Sequence, residues 1–473
     1  MAMSLGFSRR RTAWAMCAGL LWLTSCQHTG AVAGAAGATQ GSQDATAQAP
    51  LSALRADIFR YRFGIYTPRA PTVDVKKALA DAASPYGFKL VSQSVGPELP
   101  PKSTSVFLTF PPIEKFAPPS ADTMRFMAAD LNEAEQRQLG ACQSVAVFEV
   151  VGPGARAFED YRSALKLSAE LAQKLGGFLW DEETRTAHTL QSWQNRLDSW
   201  QGGVPFINRH VAIHQYRDGE LFRIVSLGMV KLGLPDIAVN QVSGTDADQM
   251  GRLVDLLLQK FVEGAAPNAQ QQLMVALDDV HHAEMRQWLA PNVSENAERR
   301  VVLSLVPIEP DEGDSDNRLL ELAFPGDKAR TQERHAAALS ALFGSQDSVL
   351  TLEHDAELLA ASARARKKAF ALRERFSKGP QYGEELLVKA RFETPDGNGE
   401  WMWVEVVSWQ GGTIDGLVTE DAFDIPTLKR GARVEVKAEE IFDYLFSKPD
   451  GTSEGNETGP LIEARAKGRR DKK

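Results

Sequence analysis

The chain has 473 residues, of which 53 are Lys or Arg and 62 are Asp or Glu, so its formal net charge at pH 7 is −9. An acidic surface repels phosphate groups, which excludes a general nucleic-acid binder. The length is sufficient for two to four domains of ~100–200 residues each.

The N-terminus has the pattern of a bacterial lipoprotein signal peptide. Three arginines at 9–11 precede an apolar stretch that is too short for the ~20 residues of a membrane-spanning helix. The stretch ends in Leu23-Thr24-Ser25-Cys26, which is similar to a lipobox, whose cysteine is acylated before cleavage. We predict a signal peptide over 1–25 and lipidation of Cys26. The alternative is an ordinary cleavage site among the alanines at 31–38.

The processed chain is expected to be a tethered envelope protein. Cleavage removes three arginines and no acidic residue, which changes the net charge from −9 to −12. Residues 26–50 are mostly Ala, Gly, Thr, Gln and Ser and predict a flexible tether. Gln27, directly after the lipidated cysteine, favours the outer membrane facing the periplasm. Cys142 is then the one unmodified thiol, so no intramolecular disulfide forms and a buried free thiol is predicted.

Strand and helix patterns alternate from 51 to 265. The run SVAVFEVVG at 144–152 is rich in β-formers, and helical apolar spacing at 155–177 ends in a glycine pair. The segment 210–229 has two alternating strands joined at Asp218-Gly219, which predicts a β-hairpin. Helices beside a mostly antiparallel sheet make this an α+β domain.

A second α+β unit is predicted over 266–354, followed by a basic connecting helix over 355–378. One narrow apolar stripe on this helix is formed by Leu358, Ser362, Ala365, Ala369, Leu372 and Phe376. The opposite side is strongly basic. We favour a connector that packs on a domain through its stripe, and the alternative is a surface for anionic lipid or an acidic partner.

The C-terminal unit, residues 379–460, is predicted to be β-rich. Alternating runs separated by PDGNG and by Gly411-Gly412 indicate a three-strand meander, and LKRGARVEV adds a further strand. A small, bent sheet or SH3-like half-barrel would bury such strands. Residues 461–473 are basic, lack a core pattern and predict a disordered tail. The predicted fold class is therefore multi-domain α+β, with antiparallel sheets, packed helices and a small β-rich C-terminal domain.

The C-terminal unit also resembles a known family. The run EWMWVEVVSWQGGTIDGLVTEDAFDIPTLKRGARVEVKAEEIFDYLF, followed by SKPDGTSEGNETG, is similar to domain-of-unknown-function family 2314, DUF2314. Upstream, GGFLWDEETRTAH, SWQNRLDSWQGGVP and SLGMVKLGLPDIAV resemble the N-terminal extensions of its long members. The resemblance implies kinship and supplies neither a reaction nor a catalytic residue.

A row of aromatic residues is the first candidate site. Strand alternation predicts that Trp401, Trp403, Glu405, Val407 and Trp409 share one face, on which three indoles could grip a peptide with Glu405 as a polar handle. The alternative is that this face is core, covered by the helix at 355–376 or by another domain. The candidate binding residues in the segment that resembles the family are Trp401, Trp403, Glu405, Trp409, Asp443, Glu454, Asn456 and Glu457.

Two further patterns point to catalysis or metal binding. His210 and His214 have the spacing of one strand face, but the hairpin places Arg223 opposite His214, and a cation opposes a divalent metal. The carboxylates around Asp181 suit acid and base roles only inside a cleft. We predict no metal, no cofactor and no catalytic residue.

We therefore expect a lipid-anchored, non-enzymatic protein that binds a protein or peptide, as an immunity-like or stress-related factor would. The alternative is an envelope hydrolase that uses carboxylates near Asp181 or histidines near His214, which requires a concave pocket at those groups.

Overall fold

A computed structural model describes residues 54–94, 101–326, 330–345 and 355–470. The predicted signal peptide, Cys26 and the tether lie outside the described residues. Within these ranges the chain forms ten α-helices and twenty strands in several sheets, none of which closes into a barrel. The fold is multi-domain α+β, as predicted. No helix in these ranges is long and apolar enough to cross a membrane.

The first sheet is six-stranded, in the order β2-β3-β4-β1-β5-β6. Its strands are β1 Ile58–Thr67, β2 Lys89–Val91, β3 Ser105–Thr109, β4 Ser144–Pro153, β5 Phe178–Asp181 and β6 Thr186–His188. The helices that accompany it are α1 Val75–Ala83, α2 Ala121–Met127, α3 Glu133–Gly140, α4 Ala157–Leu175 and α5 Leu190–Asp198. The predicted glycine pair does end α4, because Gly176 adopts φ +68°, which glycine tolerates best. A small hairpin of β7 Trp200–Gln201 and β8 Val204–Pro205 follows.

The second sheet is also six-stranded, in the order β12-β13-β14-β11-β10-β9. Its strands are β9 Ala212–Asp218, β10 Leu221–Leu227, β11 Asp236–Val242, β12 Gln272–Ala276, β13 Arg300–Ile308 and β14 Leu319–Ala323. Its helices are α6 Ala247–Val262, α7 Ala283–Leu289 and α8 Thr331–Phe343. The predicted boundary at residue 265 falls inside this sheet, since three of its strands precede that residue and three follow it.

One hydrophobic core joins these two sheets. It includes Phe63 and Phe148, whose stacked rings have centroids 4.9 Å apart, together with Leu257 and Phe261 of α6. A smaller core on the other face of the first sheet covers Tyr66 and Trp180 with side chains of α2 and α3 and the loops beside them. Cys142 is in this smaller core, buried and without a disulfide, as predicted.

The C-terminal unit forms a third six-stranded sheet, antiparallel throughout, in the order β18-β17-β16-β15-β19-β20. Its strands are β15 Glu385–Glu393, β16 Gly399–Gln410, β17 Thr413–Val418, β18 Arg433–Lys437, β19 Asp443–Ser447 and β20 Ser453–Gly455. Its helices are α9 Ala356–Phe370 and α10 Gly459–Arg470. The sheet is open, so β18 and β20 are its edges.

Helix α9 covers one face of this third sheet. The apolar stripe predicted from its sequence is turned inward: Leu358, Ala365 and Ala369 have no exposed surface. The helix ends at Phe370, and a turn region continues to Phe376, which is also buried.

Helix α10 occupies most of the tail for which the sequence predicts disorder. Arg465 of α10 forms an ion pair with Asp355, the N-cap residue of α9, with 2.7 Å between Nη2 and Oδ2. This partner is 110 residues away along the chain, which is why the local sequence of the tail gives no sign of it.

Candidate functional site

Strand β16 carries all the residues of the predicted tryptophan row, but a β-bulge divides them. Val406 lies opposite Gly416 and Ser408 opposite Asp415, so Val407 is an extra residue in the ladder. An extra residue reverses the direction of the side chains that follow it. Trp409 therefore packs with Val404 and Val406 in the core beneath α9. The prediction that three indoles share one face is wrong for this reason.

Trp401 and Trp403 remain together on the face of the sheet opposite α9. Both are half-buried, and neither belongs to the core that α9 covers. Lys389 on the neighbouring strand lies opposite Trp403, with its Nζ 5.5 Å from the ring centroid, a cation–π arrangement. The rings of Trp401 and Phe442 have centroids 4.4 Å apart. We call Lys389, Trp401, Trp403 and Phe442 the aromatic patch.

Lys389 differs electrostatically from an ordinary surface lysine. Burial lowers its pKa, although Glu420 and Asp443 act in the opposite direction. A partly desolvated ammonium beside an indole face interacts more strongly with a ligand carboxylate than one in bulk water does. The aromatic patch therefore combines flat apolar area with one cation.

Glu405 is buried, with 2% of its surface exposed, and its carboxylate bonds to other residues of the chain. Its carboxylate accepts hydrogen bonds from the backbone N–H of Gly244 at 2.6 Å, from the N–H of Thr245 at 3.1 Å and from the Thr245 hydroxyl at 2.7 Å. Burial raises its pKa, and these hydrogen bonds partly offset the rise. Glu405, predicted as a handle for a peptide, instead holds the loop that begins α6.

Further contacts join the C-terminal unit to the second sheet around Glu405. Arg433 pairs with Glu220 at 2.6 Å, and Arg430 pairs with Asp246. Leu221 packs against Val407 and Leu417. We call this set the docking interface. It covers the end of the sheet face that carries Val407 and leaves the aromatic patch outside it.

The remaining candidates of the C-terminal unit organise a loop. Asp443 is fully buried, and its carboxylate accepts hydrogen bonds from the N–H groups of Tyr444, Glu457 and Thr458 at 2.8, 3.1 and 2.8 Å. Glu457 pairs with Lys368 and, at 3.6 Å, with Arg364, both on the basic side of α9.

Glu454 lies in β20 and Asn456 directly follows this strand, and both are exposed. Glu454 pairs with Lys448 at 3.0 Å, and Asn456 adopts φ +54° while its N–H donates to the Tyr444 carbonyl at 2.6 Å. These hydrogen bonds and ion pairs fix the EGNETG motif to β19 and α9 rather than to the aromatic patch.

Residues 355–463 match the DUF2314 family model. The family is described as an uncharacterized protein conserved in bacteria. The match begins at the N-cap residue of α9, so the DUF2314 unit includes this helix and the loop that Asp443 organises. Neither a curated protein nor a solved structure matches the chain.

Outside the DUF2314 unit, Asp181 is the centre of a buried ionic cluster. Its Oδ2 lies 2.8 Å from Arg196 Nη1 and 2.7 Å from Lys231 Nζ, and neither Asp181 nor Lys231 has exposed surface. Burial alone would raise the pKa of Asp181, but the two cations outweigh it and hold this pKa well below its ordinary value. Two surface depressions of the described residues, one beside β13 and one beside Trp409, are lined by other side chains. Asp181 is thus fully engaged in buried ion pairs with Arg196 and Lys231.

The two histidines of the predicted HxxxH pattern do not share a strand face. The hairpin turn is Gly219-Glu220, one residue later than predicted, so His214 lies opposite Val225 and not Arg223. His210 precedes β9 and is buried, with Nδ1 2.9 Å from the Tyr161 hydroxyl and Nε2 3.1 Å from the Ser199 hydroxyl. Burial lowers the pKa of His214 to about 4.

The described ranges contain no group of three or more His, Cys, Asp or Glu side chains that could hold a metal ion. The residues that sequence reasoning missed are Lys389 and Phe442. The alternation of β15 places Lys389 on the outward face, but its position opposite Trp403 follows from the register of the two strands. Phe442 precedes β19, and only the folded sheet brings it to Trp401.

Proposed function

We propose that this chain is a lipid-anchored protein of the bacterial envelope that binds an extended polypeptide through the aromatic patch of its DUF2314 unit. The single observation that carries the proposal is the half-buried pair Trp401 and Trp403, held on a sheet face that α9 does not cover. Indole rings supply large, rigid contact area at a small cost in conformational entropy, which is why tryptophan is enriched at binding hot spots.

The chemistry of the aromatic patch suggests what the polypeptide carries. The two half-buried indoles favour an apolar or aromatic side chain, Phe442 is buried and supports the ring of Trp401, and Lys389 favours a carboxylate next to it. A segment with an acidic residue beside an aromatic one would satisfy both. The rigidity of the sheet supports specificity, because β15 pairs with β16 at both Trp401 and Trp403 and fixes the indole positions.

The position in the cell rests on the N-terminal sequence. Acyl chains on Cys26 would place the described part of the chain near a membrane surface. The partner would then be a protein of the same compartment. The outer membrane facing the periplasm is the location that Gln27 favours.

Crosslinking in intact envelopes tests the binding proposal. The full protein is compared with Trp403→Ala and with a chain truncated after residue 378, and captured proteins are identified by mass spectrometry. Trp288→Ala is the matched control, because Trp288 is also half-buried and lies 5.5 Å from a cation, Arg252, but belongs to α7. We expect both test variants to lose a partner that the wild type and Trp288→Ala retain. If Trp403→Ala and the wild type capture the same partners equally well, the proposal that the aromatic patch binds the partner is refuted.

Labelling with a radioactive fatty acid tests the anchor separately. We expect the wild type to incorporate label and to fractionate with membranes, and Cys26→Ser to do neither. A wild-type protein that takes up no label and stays in the soluble fraction would exclude the anchor while leaving the binding proposal open to its own test.

A further inference from the structure

A second surface of the DUF2314 unit, on the side of the sheet that α9 covers, has the features of a small-ligand site. A depression of about 350 Å³ lies where α9 has ended and the turn between β16 and β17 begins. It is lined by Arg373, Glu374, Ser377, Trp409, Gln410 and Gly411. Its volume is at the lower end of the range for small-molecule sites.

Trp409 contributes an unpaired hydrogen-bond donor to this region. Its side chain is 1% exposed, and its indole N–H has no hydrogen-bond partner among the described residues. A buried tryptophan usually has an acceptor for this group, because an unpaired buried donor is unfavourable. The backbone N–H of Trp409 donates to the Phe376 carbonyl at 3.0 Å, which fixes the strand against the turn region. The indole is therefore held in place while its donor is unused.

Arg373 contributes a cation that is only weakly engaged. Its closest ion-pair contact is Glu374 at 3.8 Å, and the Glu374 side chain is 90% exposed. Ser377 adds a hydroxyl, which now donates to the Glu374 carbonyl at 2.9 Å. Side chains added at Gly411 or Gly412 would meet nothing within 4 Å, so the turn leaves the depression open on that side. The depression thus has one cation, Arg373, and one carboxylate, Glu374, at its rim.

We propose that this depression binds a carboxylate that is attached to an aromatic or apolar group. The guanidinium of Arg373 and the indole N–H of Trp409 are donors that suit a planar carboxylate. Glu374 at the rim disfavours a dianion such as phosphate. Phe370 does not line the depression, but it is 40% exposed and its ring lies 5.8 Å from that of Trp409, which places an apolar surface next to a lining residue for the attached group. The carboxylate can belong to a free aromatic acid or to the C-terminus of a peptide.

Titration of the full chain, labelled with ¹⁵N at its indole nitrogens, tests this proposal. The probes are benzoate, acetyl-Ala-Ala-Phe with a free C-terminus, the same peptide as its C-terminal amide, and inorganic phosphate. We expect the Trp409 indole resonance, identified by its loss in Trp409→Phe, to shift with at least one of the two carboxylates. The amide and phosphate should bind at least tenfold more weakly.

Calorimetric titration of Arg373→Gln gives an independent readout, since Arg373 is 44% exposed and its replacement leaves the core intact even if Trp409→Phe unfolds. We expect at least tenfold weaker binding of the carboxylate probe. Arg364→Gln, on the part of α9 that contacts Glu457, should stay within twofold of the wild type. A response to benzoate alone identifies a small acid, and a response to the peptide alone identifies a C-terminus. No response to either carboxylate, an equal response to the amide, or unchanged binding in Arg373→Gln would overturn the proposal.

Discussion

The carboxylate of Glu405 accepts a 2.6 Å hydrogen bond from the backbone N–H of Gly244, a residue 161 positions earlier in the chain. The approach is close: a Cβ at position 244 would lie 2.9 Å from Glu405 Oε1, so a larger residue there would require this carboxylate to shift. This contact ties the DUF2314 unit to the loop that begins α6. The docking interface is therefore anchored by an acid that the sequence presents as an outward-facing binding residue.

Replacing Glu405 with alanine should destabilise the protein by about 2–4 kcal/mol, because two buried N–H groups and a hydroxyl lose their acceptor. Chemical denaturation gives the free energy of unfolding, and limited proteolysis between the units reports on docking. Glu435→Ala, exposed on β18, is the control and should change stability by less than about 0.5 kcal/mol. Similar losses in the two variants would rule out the anchoring role.

Glu385 should make stability depend on pH. Burial, together with the nearby Glu405 and Asp248, raises its pKa from the ordinary 4.5 to about 7. Because the folded-state pKa is raised, the stability that the protonated form contributes is fully present below pH ~4.5 and is lost as pH rises to ~7. Glu385→Gln removes this titration. The free energy of unfolding of the variant, relative to that of the wild type, should therefore be about 1–2 kcal/mol higher at pH 8 than at pH 4.5.

Unfolding curves at both pH values measure this difference. Glu393→Gln is the matched control, since Glu393 lies on the same strand and is exposed. Its stability relative to the wild type should be the same at both pH values. If Glu385→Gln behaves in the same way as this control, Glu385 does not titrate in this range.

Asp443 should be essential to the structure of the EGNETG loop, because its buried carboxylate accepts the hydrogen bonds that hold the loop. Asp443→Ala leaves three N–H groups without their acceptor and should cost about 2–4 kcal/mol. Proteolysis between residues 453 and 457 should become faster. Glu439→Ala, in the exposed turn before β19, should leave both the midpoint of unfolding and the cleavage rate close to those of the wild type. An intact, protease-resistant loop in Asp443→Ala would contradict this role.

The ionic cluster around Asp181 should be among the most sensitive positions of the chain. Asp181→Asn keeps the shape of the side chain but leaves Arg196 and Lys231 buried without their anion. Removing one partner of a buried ion pair costs about 3–5 kcal/mol. Thermal or urea unfolding measures the loss. Asp198→Asn, exposed at the end of α5, is the control, and a comparably small effect for both would show that the cluster contributes little.

Local patterns predicted local structure well. The stripe of α9 was readable because residues three, four and seven positions apart on a helix share one face, whatever the helix packs against. The alternation of β16 was also readable up to Val406. Beyond it the pattern failed, because a bulge depends on how the neighbouring strand pairs and has no signature in β16 alone.

Contacts between segments that are distant in the chain could not be predicted from the sequence. The partners of Glu405 lie in the loop before α6, and those of Asp181 come from α5 and from the turn after β10. Nothing in the spacing of acidic residues separates such internal acceptors from surface groups. The same reason explains why the second sheet extends across the predicted boundary at residue 265: its six strands come from both sides of α6.

The bulge at Val407 also gives this strand an unusual evolutionary option. Deleting Val407 would restore strict alternation while the indole of position 409 stays on the covered side, because Ser408 and Trp409 keep their partners Asp415 and Ile414 on β17. One three-nucleotide deletion would then remove the contact of Val407 with Leu221 and Leu417 and leave the core beneath α9 in place. Relatives that differ by one residue at this point would be expected to differ in how firmly the DUF2314 unit docks on the second sheet.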